Sequence, residues 1–278
     1  MQLPLRFGPD LPLDFCVLGS GSSGNAVVFD CGGQRLLVDA GFSCRQLEKR
    51  LQAVGLGPID FEGIVLTHEH SDHVKGARRF AKRHRVPILA TAGTLTGSRL
   101  RDAAAGTVTL SPGRPHELET FRIEPFAVPH DAREPIGVVI ESPSGRRVGL
   151  VGDLGAMRRA ARLHLRDLDA LILESNHDVE MLRSGPYPWY LKKRIAGDRG
   201  HLSNHDAAAA LGEILDSRLQ AVVLYHLSQI NNLPMLAEEA TVVRLERLGA
   251  ALHLLVSRQD RPTEWLSAGE TAVLSGAG

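Results

Sequence analysis

Residues Thr67 to His73 read T-H-E-H-S-D-H, which places four metal-binding side chains, His68, His70, Asp72 and His73, within six positions. A regular helix would spread them around its circumference, whereas a tight loop can turn all four toward one point. Neutral imidazoles together with a carboxylate suit zinc, and also iron or manganese. A lone histidine is usually a surface or core residue. Four such donors directly after an apolar run are far more restrictive. The chemistry they point to is coordination of a divalent metal at an open site.

The elements around the motif must hold it in place. Gly63-Ile64-Val65-Leu66 is short, apolar and β-branched and reads as a buried strand. Val74 to His84 has helical spacing, so the donors are expected on a strand-to-helix loop. Further strands are predicted at Phe15–Leu18, Ala26–Asp30, Arg35–Asp39, Val86–Ala90, Phe121–Val128, Gly137–Glu141, Arg147–Val151, Leu171–Glu174, Ala221–Tyr225 and Leu252–Val256. Helices are predicted after Ser43 as N-cap, from about Thr94, after Ser203, and from Pro234 to about Leu248. The glycine-serine loop Gly19–Asn25 can cradle a phosphate through its backbone N–H groups or serve as a plain tight connection. Several strand ends carry chemistry-bearing residues: Asp39, His130, Asp153, Glu174 and His226. Taken singly, each reads equally well as a cap or surface residue.

Composition narrows the setting. The chain has 278 residues with a formal net charge of zero, so no overall field favours nucleic acid or a membrane surface. Its three cysteines, Cys16, Cys31 and Cys44, form no metal-type pair, which fits a reducing compartment. No apolar run reaches transmembrane length and no signal pattern opens the sequence, so a cytoplasmic protein is expected.

The motif T-H-E-H-S-D-H-V-K-G-A resembles the signature of the metallo-β-lactamase fold superfamily. The likeness extends through G-S-G-S-S-G-N, Glu174-Ser175-Asn176-His177-Asp178 and Tyr225-His226-Leu227-Ser228-Gln229-Ile230-Asn231-Asn232 to the YycJ/WalJ-type branch, covering about Phe15 to Val256. This resemblance implies an α/β, four-layer αββα sandwich, taken as one domain over residues 1–278 with a short cap-like segment at about 178–200. It implies two divalent metal ions, zinc, manganese or iron. His68, His70 and His130 would hold the first; Asp72, His73 and His226 the second; Asp153 would bridge them. Asp39 would orient a metal-ligating histidine from behind.

The resemblance also implies the reaction class. A bridging aspartate sets the chain apart from the best-known lactamases and leaves thioesterases of the glyoxalase II type and nucleases. Gly200-His201-Leu202-Ser203-Asn204 is similar to the helix start of ribonuclease Z-type phosphodiesterases, which makes His201 a proton donor supported by Glu174; a helix N-cap beside a chance histidine is the plainer reading. With Asp72, these would be the catalytic residues. The expected function is a metal-dependent phosphodiesterase, an exonuclease with DNA as favoured substrate. The alternatives are a thioester or ester hydrolase and a noncatalytic partner protein with a structural metal. Ser203, Asn204, Lys192, Lys193 and Arg194 are expected to contact the nucleic acid, with Tyr187, Trp189 and Tyr190 beside them to stack on bases or to pack a short helix.

Overall fold

The apolar runs that bracket the site motifs form strands buried on both faces. In the computed structural model, which describes residues 11–57, 61–103 and 105–269, they build two seven-stranded sheets. The expected domain limits at residues 1 and 278 lie outside the described residues. The first sheet contains β1 (Asp14–Gly19), β2 (Ala26–Cys31), β3 (Gln34–Val38), β4 (Phe61–Leu66), β5 (Ile88–Thr91) and β6 (Thr107–Leu110). The second contains β7 (His116–Glu117), β8 (Arg122–Ala127), β9 (Ile136–Glu141), β10 (Arg147–Val151), β11 (Ala170–Glu174), β12 (Ala221–Tyr225) and β13 (His253–Val256). A last strand, β14 (Leu266–Ser267), returns to the first sheet and pairs antiparallel with β1. The orders are β14-β1-β2-β3-β4-β5-β6 and β13-β12-β11-β10-β9-β8-β7. Each sheet is antiparallel in one half and parallel in the other, with β3 and β10 at the change.

Side-chain alternation sorts the core into layers. Leu36, Val38 and Val65 face Val138, Ile172 and Val223 across the space between the sheets. Leu37, Ile64 and Leu66 point the other way, under helices Cys44–Ala53 and Ala77–His84. Leu171, Leu173, Val222 and Leu224 are covered by helices Asn204–Ile214 and Pro234–Arg247. The result is the αββα sandwich. Strands covered on both faces read as near-continuous apolar runs, as these do.

Helix starts follow their caps. The Ser43 hydroxyl accepts from Gln46 N, the Ser203 hydroxyl accepts from Asp206 N, and Pro234 opens its helix with a preset φ. The expected continuous helix Val74–His84 is instead two. Ser71–Val74 is one short helix and Ala77–His84 another, so Asp72 and His73 sit within a first helical turn, not on the loop. The break lies at Gly76, whose N–H donates to Ala40 O at 2.8 Å. A Cβ there would stand 2.1 Å from Phe42 O. β6, β7, β14 and helix Arg159–His164 were not expected; the strands among them are short or lie at sheet edges, where the apolar signal is weakest.

Gly41 is where the metal-motif segment meets the chain after β3. A Cβ on Gly41 would lie 1.6 Å from Asp72 O and 2.6 Å from Asn25 N, both backbone atoms. Gly41→Ala must therefore displace the Asp72 backbone. It should lower stability by about 1–3 kcal/mol, read as a lower denaturant midpoint, and reduce bound metal. An unchanged midpoint with full metal content would show that this packing is loose.

Candidate metal centre

The carboxyl ends of the central strands carry the site. Asp39 follows β3, Thr67–His73 follow β4, Asp153 follows β10, Glu174 closes β11 and His226 follows β12. His130 comes from the turn between β8 and β9. Asp39, Asp153 and His226 adopt left-handed backbone conformations, with φ of 60°, 53° and 57°. Non-glycine residues rarely do so, and each such residue costs on the order of 1 kcal/mol. The strain lies where each strand turns abruptly to aim a side chain at the same point.

The hydrogen bonds behind each imidazole determine which nitrogen faces inward. His73 Nδ1 lies 2.7 Å from Asp39 Oδ2, so that nitrogen carries the hydrogen and Nε2 points into the site. Asp39 also accepts from the Thr67 backbone N–H at 2.9 Å and from the Thr67 hydroxyl. The hydroxyl's hydrogen is thereby committed, and its oxygen accepts from His68 Nδ1 at 3.2 Å. His130 Nδ1 donates to Gly200 O at 3.1 Å and His226 Nδ1 to Glu174 Oε1 at 3.0 Å. His70 is the exception: its Nδ1 faces the cluster, 3.4 Å from His130 Nε2.

The inward atoms gather in overlapping groups. One donor atom each from His68, His70 and His130 lies within 4.8 Å of the others; the same holds for Asp72, His73 and His226, and for His68, His73 and Asp153. Asp153 reaches both sides, with Oδ2 2.9 Å from His73 Nε2 and Oδ1 3.5 Å from His130 Nε2. The shorter contact has ion-pair distance without hydrogen-bond alignment, and Asp153 Oδ2 and His68 Nε2 are buried with no hydrogen-bond partner. Buried lone pairs turned toward one another are costly unless a cation lies between them. The donor set of histidines and carboxylates therefore fits divalent metal ions.

Electrostatics without metal point the same way. Burial works against charge on His226, but Asp153, Asp72 and Glu174 outweigh it and raise its pKa to about 10. His73 is likewise buried, yet Asp39 and Asp153 hold its pKa well above the usual imidazole range. His68 goes the other way, pushed well down by burial and by neighbouring His73. Burial would raise the Asp153 pKa, and the surrounding histidines instead hold it well below the usual carboxylate range.

The structure brings His68, His70, Asp72, His73, His130, Asp153 and His226 together, with Asp39 behind His73, and Glu174 and His201 alongside. It corrects the expectation for two others. Ser203 and Asn204 are buried; the Ser203 hydroxyl is taken up by Asp206, and the Asn204 amide by Ser175 and Asn232. They build the helix start and do not reach the pocket. Of the basic residues, Lys192 Nζ donates to Arg183 O and Arg194 pairs with Asp131 at 2.5 Å, leaving Lys193 exposed. Asn25 was missed. Its N–H donates to Asp72 O at 2.8 Å, and its amide lies 3.1 Å from His73 Nε2. The Gly19–Asn25 loop thus buttresses the metal motif, and Ser20 Oγ accepts from His226 N. Only the ending of that loop in asparagine hinted at this. Asn176, which donates to His226 O at 2.8 Å, was missed too.

The site opens into a pocket of about 210 Å³, with Tyr187, Arg194 and Ile195 forming one wall. A larger groove of about 490 Å³, between helices Asn204–Ile214 and Pro234–Arg247, contains none of the clustered donors.

Residues 34–227 match the family model described as Beta-lactamase superfamily domain. The chain is 36% identical over 243 residues to the exodeoxyribonuclease YycJ of Bacillus anthracis, covering 85% of this chain and 90% of that protein. It is 35% identical over 242 residues to the exodeoxyribonuclease WalJ of Streptococcus pneumoniae, covering 85% and 89%. Among solved structures, it superposes on the metallo-β-lactamase fold protein YhfI of Bacillus subtilis with a TM-score of 0.70 at 19% identity, over 91% of this chain and 99% of the other.

Two outcomes test the centre. Asp39→Ala should weaken metal affinity by roughly 10–100-fold, because His73 loses the partner that fixes its tautomer; affinity measured by chelator competition and left unchanged would reduce Asp39 to a packing residue. Metal uptake should release protons, since His73 and His226 favour the protonated form without metal. Apparent affinity should then rise as pH is raised toward about 10, the His226 value. Calorimetry in buffers of different ionisation enthalpy reads this directly, and buffer-independent heats would contradict it.

Proposed function

Because the chain belongs to the beta-lactamase superfamily, we propose that it is a two-metal phosphodiesterase that removes nucleotides from DNA as an exonuclease. The observation that carries this reading is the contact between His201 Nδ1 and Glu174 Oε1, 2.7 Å long, at the wall of the metal pocket. His68, His70 and His130 would hold one ion and Asp72, His73 and His226 the other, with Asp153 between them. When bound, such a pair supplies a nucleophile at neutral pH and stabilises charge on the scissile phosphate.

A phosphodiester also has a poor leaving group, an alkoxide that needs a proton. His201 is placed to provide it. Its Nδ1–H donates to Glu174, so Nε2 is the nitrogen free to face substrate in the pocket. Burial alone would raise the Glu174 pKa, but His201 and His226 hold it down at about 2, so the group stays a carboxylate. That charge in turn outweighs the desolvation of His201 and raises its pKa, which favours the protonated imidazole that a proton donor requires. Glu174 also accepts from Leu154 N and Leu202 N, which locks the pair to both β10 and the helix start.

The nitrogen and oxygen donors accept zinc or manganese, and cell supply selects between them. Among the described residues no helix is long and apolar enough to cross a membrane. Cys16, Cys31 and Cys44 are buried free thiols, which suits a reducing, cytoplasmic setting.

His201→Ala should keep both metals and slow DNA hydrolysis by roughly 10²–10⁴-fold. A chromogenic phosphodiester with an acidic leaving group should lose far less. Equal losses on both substrates would remove the proton-donor role. Ready cleavage of thioesters by the unmodified protein, with no nucleic acid cleaved under any divalent metal, would replace the nuclease reading with a glyoxalase II-like one.

A further inference from the structure

The helix Trp189–Ile195 buries none of its residues. Trp189 and Tyr190 are 76% and 75% exposed, the most exposed large apolar side chains among the described residues. Two adjacent solvent-facing rings of this size usually mark a contact surface. Their position connects them to the site. Tyr190 shares a helix face with Arg194, one turn on, and Arg194 and Ile195 line the metal pocket, as does Tyr187. Tyr187 stands between Pro186 and Pro188, which stiffen the approach to the helix. At the far end, Ile195 O accepts from His201 N at 2.8 Å, and a Cβ on Gly200 would lie 2.1 Å from Ile195 O. The helix is therefore fixed directly to the residue read above as the proton donor. Lys193, one turn from Trp189, adds an exposed positive charge on the ring side.

Resting on the nuclease reading, we propose that Trp189 and Tyr190 form a stacking platform for unpaired bases of the DNA strand whose scissile phosphate occupies the metal pocket. Tyr187 forms the near end of the track, and Lys193 contacts a phosphate along it. Every base offers a π-face, so such a platform is tolerant of sequence but demands that the bases be unpaired. It selects single-stranded or frayed ends over intact duplex, a preference that the metal donors cannot supply.

The only other tryptophan, Trp265, donates its indole N–H to Val54 O at 3.2 Å and packs in the first sheet's outer core, so Trp189 reports on the platform. A single-stranded, phosphorothioate-linked oligodeoxynucleotide, chosen to resist cleavage, should quench the emission of the metal-loaded protein saturably, and Trp189→Phe should abolish the quenching. A double variant with Trp189→Ala and Tyr190→Ala should raise KM for frayed-end DNA about tenfold or more while leaving kcat and the hydrolysis of bis(p-nitrophenyl) phosphate unchanged. Trp189→Phe, which keeps a ring, should hold KM close to the parent value. A protein that degrades DNA yet shows no quenching, or a double variant with unaltered KM, overturns the proposal. So does a double variant whose change is in self-association, since the rings would then cover a second copy of the chain. If the unmodified protein degrades no DNA, the nuclease reading fails first, visible before any variant is made, and the platform falls with it.

Discussion

A buried histidine presents a bare nitrogen to a cation when the hydrogen on its other nitrogen is taken up elsewhere. That constraint organises the interior of this protein. His73 donates to Asp39, His226 and His201 donate to Glu174, His130 donates to a backbone carbonyl, and His68 donates to a hydroxyl whose own hydrogen is already committed to Asp39. Two carboxylates, Asp39 and Glu174, both fully buried, thus set the orientation of four imidazoles. Buried carboxylates are unfavourable unless hydrogen-bonded, and these two are saturated by backbone N–H groups as well. The acceptors behind the rings matter as much to the site as the rings themselves.

The two sheets share one plan, and their halves face each other across the site. β3 and β10 are each followed by an aspartate with left-handed backbone, Asp39 and Asp153, yet the first backs an imidazole and the second faces the cluster. Equivalent positions therefore serve different chemistry. His226, at the end of β12, shares the same conformation. The energetic cost of these turns is offset by neighbours that hold them, including Val65 O, which accepts from Asp39 N, and Ser20 Oγ, which accepts from His226 N.

What was legible in the sequence follows from the same physics. The donors were visible because T-H-E-H-S-D-H concentrates them and because the remaining ones close apolar runs. The central strands were visible because burial on both faces leaves them almost wholly apolar. The helix break at Gly76 was not visible, since it depends on the approach of Phe42 O and Ala40 O from a distant segment. The roles of Asn25 and Asn176 were hidden for the same reason: an asparagine in a loop looks alike whether it faces water or supports a ligand from behind. Ser203 and Asn204 were misread because a helix start beside a reactive histidine suggests contact with substrate, whereas here the start itself is packed inside. The edge strands β6, β7 and β14 carry too few apolar residues to stand out.

The chain passes from the first sheet to the second between β6 and β7 and returns only at β14, which completes the first sheet's edge beside β1. This routing has a consequence for biosynthesis. While the polypeptide is still being translated, the signature histidines leave the ribosome well before Asp153 and His226 have been made. The nascent chain then carries the most conspicuous part of the centre without the partners that close it. Synthesis itself withholds the complete donor set until nearly the whole sandwich exists, so the centre cannot close while most of the chain is still being made.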